Sequence, residues 1–149
     1  MKGKRGFEVV SYYRGRGIRL PRRSTARSAG YDIEAAEDIT IPPLGVGKVP
    51  TGLKAYMAND EYLSIHIRSG ISFRHSLSLI NDTGIIDSDY YNNPDNEGHI
   101  IIGIINLSKE PVTIRKGDRV AQGIFSKYLT TDDDEASEGR KGGFGSTGI

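Results

Sequence analysis

Short apolar stretches with a two-residue period, each stopped by Gly, Pro, Asn or Asp, restrict this chain's folding more than any other feature. Tyr62-Leu63-Ser64-Ile65-His66-Ile67 alternates apolar and polar residues, as a strand with one buried face must. Further strands are expected at 7–12, 39–42, 46–50, 53–57, 77–80, 84–86, 99–106, 112–114 and 120–128, all short and rich in Ile, Val and Tyr. Many short strands at close spacing predict an all-β fold, a distorted β-barrel or jelly-roll-like single domain. Apolar residues rarely recur at helical spacing. One short helix, Ser69–His75, is expected, with Ser69 able to cap it.

A chain of 149 residues is one domain on size, with enough material for a real core. It has no cysteine, which excludes disulfide frameworks and thiolate metal sites. The longest apolar run, 100–105, is interrupted by Gly103 and is far short of the about 20 residues that span a bilayer. The basic start lacks the apolar stretch of a secretory signal. The expectation is a cytoplasmic protein with no membrane contact.

The formal net charge of +1 hides a strong asymmetry. Nine basic side chains fall within residues 1–30 against the single acid Glu8, whereas 132–138 carry five acids and no base. The basic start reads as a surface for nucleic acid or a phosphorylated ligand, or as a solvated arm paired with acids of another chain. No aromatic-rich nucleic-acid signature accompanies it, so no stable nucleic-acid binding is expected. The chain divides at residue 129 into a β domain (1–129) and a tail (130–149) with little to bury, expected to be flexible. In that tail Gly142, Gly143, Gly145 and Gly148 interleave with Arg140, Lys141, Phe144, Ser146 and Thr147. Such a mixture can wrap a phosphate chain, although it is no Walker loop.

Several segments carry chemistry. Ser28-Ala29-Gly30-Tyr31-Asp32 sets small residues beside an acid at a strand start. Arg68-Ser69-Gly70 opens the short helix, where free N–H groups favour an anion. In Gly84-Ile85-Ile86-Asp87-Ser88-Asp89-Tyr90 an acid follows two apolar residues, where partial burial can tune a general base. Lys116-Gly117-Asp118-Arg119-Val120-Ala121-Gln122 is a charged turn entering an apolar strand. His66, His75 and His99 are too scattered to predict a zinc site.

Together with Gly143-Phe144-Gly145-Ser146-Thr147-Gly148, these segments resemble, in order, the five motifs of the trimeric deoxyuridine triphosphatase (dUTPase) family. The resemblance runs from about Leu20 to Ile149. It implies hydrolysis of dUTP to dUMP and pyrophosphate, which limits uracil in DNA and supplies dUMP for thymidylate synthesis. Asp87 matches the acid that activates the attacking water, with Asp89 the nearby competitor. Tyr90 matches the ring that packs on deoxyribose and leaves no room for a 2′-hydroxyl. Uracil is implied to be read by backbone groups around Asn81, Ile85 and Ile86 and on the returning strand at Ile101. The triphosphate falls to Arg68, Ser69, Gly70, Gln122, Arg140, Gly145, Ser146 and Thr147, with Phe144 closing over the base. The family also implies Mg²⁺ on the phosphates, with Asp32 beyond the ion's water shell and no direct protein ligand. It implies a homotrimer whose sites take the Asp87 hairpin, the Asp32–Ser69–Gln122 segments and the tail from three different chains.

The chain departs from the family pattern in three places. Tyr91-Asn92-Asn93-Pro94-Asp95-Asn96-Glu97 lengthens the hairpin after Tyr90, reading as a turn-rich surface loop or a contact at the mouth of the site. Ile67 stands where a proline is usual before the second motif, and the last motif is one residue shorter, so Lys141 can share the role of Arg140. Two rivals bear on function. A dCTP deaminase, mono- or bifunctional, shares the fold, and a nucleotide-gated trimeric regulatory protein would keep the site as a switch.

Overall fold

The structure is a computed structural model and describes residues 3–140, 142 and 143. Among the described residues twelve strands and one α-helix follow in chain order. The strands are β1 (Gly6–Val9), β2 (Arg22–Arg23), β3 (Tyr31–Glu34), β4 (Ile39–Ile41), β5 (Val46–Pro50), β6 (Leu53–Tyr56) and β7 (Glu61–Ile67). After helix α1 (Ser69–His75) come β8 (Leu77–Leu79), β9 (Gly84–Asp87), β10 (Ile101–Asn106), β11 (Val112–Ile114) and β12 (Arg119–Lys127). The all-β expectation therefore holds, with α1 at its expected bounds.

A five-stranded sheet of order β2-β3-β12-β7-β9 packs with a three-stranded sheet β5-β10-β8 and the pairs β1-β6 and β11-β4. Every pairing is antiparallel, which suits a meandering chain with short turns. Alternation sorts the side chains. Along β10, Ile102, Ile104 and Asn106 are buried while Ile101, Gly103 and Ile105 are half-exposed. The core gathers Ile33, Ile41, Val49, Leu53, Leu63, Ile65, Leu77, Ile104, Ile114 and Val120. Buried Asn106 is tolerated because its amide donates to the carbonyls of Ile41 and Glu110 and its oxygen accepts from Ser108.

Some local expectations change. The first strand ends at Val9, and Ser11–Tyr13 turns as a 3₁₀ segment that buries Tyr13. Its phenol donates to Glu37, and burial pushes its pKa up to about 12. Ser69 does not cap α1. It is the first helical residue, Arg68 holds the cap position, and no side chain bonds there. Strand β10 starts at Ile101, because His99 and Ile100 are used to tie the turn below it to Gly52 and Leu53. At the end of β12 Tyr128 anchors the chain, its N–H donating to Asp60 and its phenol to Asn59. Residues 130–140 contain no helix or strand. No helix among the described residues is long and apolar enough to cross a membrane.

Candidate active site

Strand β9 is the last strand of its sheet, paired with β7 alone, so its other backbone edge is open among the described residues. On the facing side β8 covers β10 from Ile104 to Asn106, and its continuation bonds Gly103, leaving that side of Ile101 and Ile102 without a strand partner. Between the two edges lies a cavity of about 270 Å³ lined by Asn81, Gly84, Ile85, Ile86, Asp87, Tyr90, Ile100, Ile101, Gly103 and Arg140, among others. Open strand edges present alternating N–H and C=O groups, so they can read a flat ligand with a donor–acceptor edge. Seven expected site residues thus converge: Asn81, Ile85, Ile86, Asp87, Tyr90, Ile101 and Arg140. Sequence reading missed the cavity's other walls, Ile65, Leu79, Ile80, Ile102 and Gly103. A Cβ on Gly103 would lie 2.8 Å from Ile80 Cγ2, so the glycine is what allows that wall to close in; a break in an apolar run was its only signal.

The acid end of the cavity is built by a turn. After β9 the chain makes a 3₁₀ turn over Ser88–Tyr90, which buries Tyr90 and leaves Asp87 and Asp89 facing outward. Asp87 is 55% exposed, so in this single chain it is not the partly buried acid that its apolar neighbours led one to expect. Arg140 reaches both carboxylates: Nη2 donates to Asp87 at 2.5 Å and Nε to Asp89 at 2.8 Å, with the guanidinium 5.7 Å from the Tyr90 ring centre. The bond to Asp89, then the charges of Asp89 and Asp87, push the guanidinium pKa up despite some burial. Here Arg140 therefore sits on its own chain's hairpin. Phe144, Gly145, Ser146, Thr147 and Lys141 lie outside the described residues.

The remaining expected residues form a second cluster. Asp32 on β3 receives Ser24 Oγ at 2.8 Å and is paired with Arg68 at 3.2 Å and Arg119 at 3.5 Å. Gln122 on β12 stands opposite Asp32 on one side and His66 on the other. A Cβ on Gly30 would lie 2.2 Å from Gln122 Oε1, so the glycine beside Asp32 clears space for the Gln122 side chain. Arg68 and Gly70 line a groove with Arg74, Asp118 and Arg119. Ser69 is at the exposed start of α1 beside them.

The two clusters are far apart in one chain. Asp87 is opposite Tyr62 on β7, and Arg68 follows the end of that strand. Six residues of strand separate them, about 20 Å at about 3.3 Å per residue. An arginine side chain does not bridge that gap. Within one chain, Arg140 meets Asp87, whereas Arg68 and Asp87 do not share a site.

No group of three or more His, Asp or Glu positioned to hold a metal occurs among the described residues. Asp32 already faces two guanidinium groups and a hydroxyl, which suits an acceptor from ion-bound water better than a direct ligand.

An antiparallel β-barrel with an open-edged cleft and carboxylates at its mouth defines a small-molecule-binding fold equipped for proton transfer. Residues 16–148 match the dUTPase family. The chain is 53% identical to the deoxyuridine 5'-triphosphate nucleotidohydrolase of Lactococcus lactis over 146 residues, 97% of each protein. It is 38% identical to that of Wolinella succinogenes over 87% of this chain and 86% of the other. The crystal structure of a dUTPase from Streptococcus mutans superposes with a TM-score of 0.81 at 44% identity, covering 85% of this chain and 98% of the other. A phage phi11 dUTPase of S. aureus, described with a structural Mg(II) ion, shares the fold alone, at 22% identity and a TM-score of 0.72 over 91% of this chain and 98% of the other. The chain belongs to the dUTPase family.

Proposed function

We infer that the protein hydrolyses dUTP to dUMP and pyrophosphate. The observation that carries this reading is the cleft between the open edges of β9 and β10, with Asp87 at its mouth and Tyr90 in its wall. Uracil fits between the edges, where backbone groups near Ile85, Ile86 and Ile101 match its donor–acceptor pattern and Asn81 supports the base or the water. Tyr90 stacks on deoxyribose and excludes a 2′-hydroxyl. Asp87 accepts the proton of a water whose oxygen bonds the α-phosphorus. The bond from that phosphorus to the bridging oxygen breaks, and pyrophosphate leaves with the electron pair.

Arg68, Ser69, Gly70 and Gln122 bind the phosphates from a second subunit, and the arm, residues 130–149, brings Arg140, Phe144, Gly145, Ser146 and Thr147 over the site. The 20 Å between Arg68 and Asp87 along β7 supports sites shared within a homotrimer. Bound Mg²⁺ would neutralise phosphate charge, with Asp32 holding its water shell. Product masses from a panel of deoxynucleoside triphosphates, with and without Mg²⁺, test the reading. Pyrophosphate and dUMP from dUTP, with dCTP untouched, are expected; deamination of dCTP, or no hydrolysis of dUTP, overturns it.

A further inference from the structure

We propose that Asn96, in the loop that lengthens the hairpin, is a positioning residue that fixes the Tyr90 ring and thereby sets discrimination between deoxyribose and ribose triphosphates. The proposal rests on the reading of Tyr90 given above. The loop is a closed hydrogen-bond unit. Buried Asn93 donates from Nδ2 to the Tyr90 carbonyl at 2.8 Å and to Asn96 Oδ1 at 2.8 Å, while its Oδ1 accepts from the N–H groups of Asp95 and Asn96. Asn96 Oδ1 also accepts from the Gly98 N–H at 3.1 Å. An N–H can only donate, so the amide orientation of Asn96 is settled: Nδ2 points to Tyr90 Oη, 2.9 Å away. Tyr90 Oη in turn donates to the His99 carbonyl at 2.9 Å, a group that can only accept. Both capacities of the phenol are used, and the ring is held from two sides.

The loop is itself anchored to the barrel. Buried Lys54 Nζ donates to Asn92 Oδ1 at 2.6 Å and to Glu97 Oε2 at 2.7 Å, and Tyr91 donates to Glu8. Burial and that bond to Glu8 push the Tyr91 phenol up to about 12. Asn92 and Glu97 take positive φ, 55° and 65°, a conformation that costs energy for residues with a side chain, and these contacts offset that cost. A wall that rejects one hydroxyl must not yield, because an apolar wall alone discriminates weakly against an added oxygen. Asn96 supplies that stiffness.

Asn96→Asp is the direct test. It keeps the shape and the oxygen that accepts from Asn93 and Gly98, and it removes the donor to Tyr90. kcat/KM is measured for dUTP and UTP on the wild type, Asn96→Asp, Tyr90→Phe, the double variant and Tyr90→Ala. The dUTP/UTP ratio should fall about fivefold in Asn96→Asp, through gain on UTP, with kcat for dUTP within about twofold of wild type. Asn96→Asp should add nothing in the Tyr90→Phe background, where the bond is already gone. An unchanged ratio, an equal loss on both substrates, or the same fall in both backgrounds overturns the proposal. Should Asn96→Asp not fold, Tyr90→Phe breaks that bond together with the one to the His99 carbonyl, and Asn96→Ala breaks it while sparing the His99 bond; an unchanged ratio in either overturns it equally. If Tyr90→Ala leaves the ratio intact, the reading of Tyr90 itself fails; if it collapses the ratio while Asn96→Asp does not, only the role of Asn96 fails.

Discussion

Replacing Glu97 by Gln should destabilise the fold by about 2 kcal/mol although the residue is near the surface. The Lys54 side chain is 6% exposed, and its ammonium group lies 2.7 Å from a Glu97 side chain that is 31% exposed. Removing one partner of a buried pair costs about 3–5 kcal/mol, because the other charge is left without compensation. Two features reduce that here. Glu97 is partly solvated, so the pair is not fully desolvated, and Asn92 Oδ1 at 2.6 Å and the Tyr91 ring at 5.1 Å stay on the ammonium. Lys54→Met should cost less, about 1 kcal/mol, since its apolar stem is replaced and Glu97 retains the Ser11 N–H. With neither charge present, the double variant should recover part of the loss, a coupling of about 1 kcal/mol. Urea unfolding followed by circular dichroism at one fixed protein concentration reads these values as midpoint shifts at constant m, with Tm lower by about 4–8 °C for Glu97→Gln. A Glu97→Gln protein within about 0.5 kcal/mol of wild type, or strictly additive losses, would refute the buried-clamp argument.

Other outcomes follow from the same geometry. Asp87→Asn should lower kcat by at least about 10²-fold with dUTP binding kept, checked by turnover and calorimetric titration. Mixing unfolded Asp87→Asn and Arg68→Ala chains and refolding them together should restore activity to about a quarter of wild type, because that share of shared sites draws a good residue from each parent; no recovery means the sites are not shared. His99 is held neutral by burial, against the pull of Glu97 and Glu37, and its Nε2 accepts the Gly52 N–H at 2.9 Å. Its folded pKa is depressed, so below about pH 6.5 the unfolded chain takes a proton that the folded chain refuses. Stability should therefore fall as pH drops from 7 toward 5, and His99→Gln, which keeps an acceptor, should flatten that slope in urea titrations. Near pH 4 and below a further loss is expected from Glu61, whose pKa is lowered by its hydrogen bonds from Arg5 and the Ala58 N–H: its stabilisation is present above the unfolded carboxylate pKa and disappears as pH falls.

Periodicity and punctuation are local, and so most strands, the short helix at Ser69–His75 and the order of the chemical segments were legible in the sequence. The two arginines of β2, held by pairing with β3, were not, and β3 was legible only as a strand start near Asp32. Strand ends were less legible. β10 starts two residues late because His99 and Ile100 bond to Gly52 and Leu53, partners that are distant in the chain. The short motif around Asp87 was readable as chemistry, but which side chains share a cavity was not. That depends on β9 ending one sheet and β10 running past β8, a consequence of long-range pairing. Pairing along β7 likewise decided that Arg68 and Asp87 stand about 20 Å apart, a distance no spacing in the sequence reveals. The loop at 91–97 read as a polar surface turn, since Asn and Pro favour turns wherever they occur. Only the folded chain brings Lys54 and Glu8 beneath it and aims Asn96 at the Tyr90 phenol, because hydrogen bonds between distant residues depend on tertiary position and leave no periodic trace.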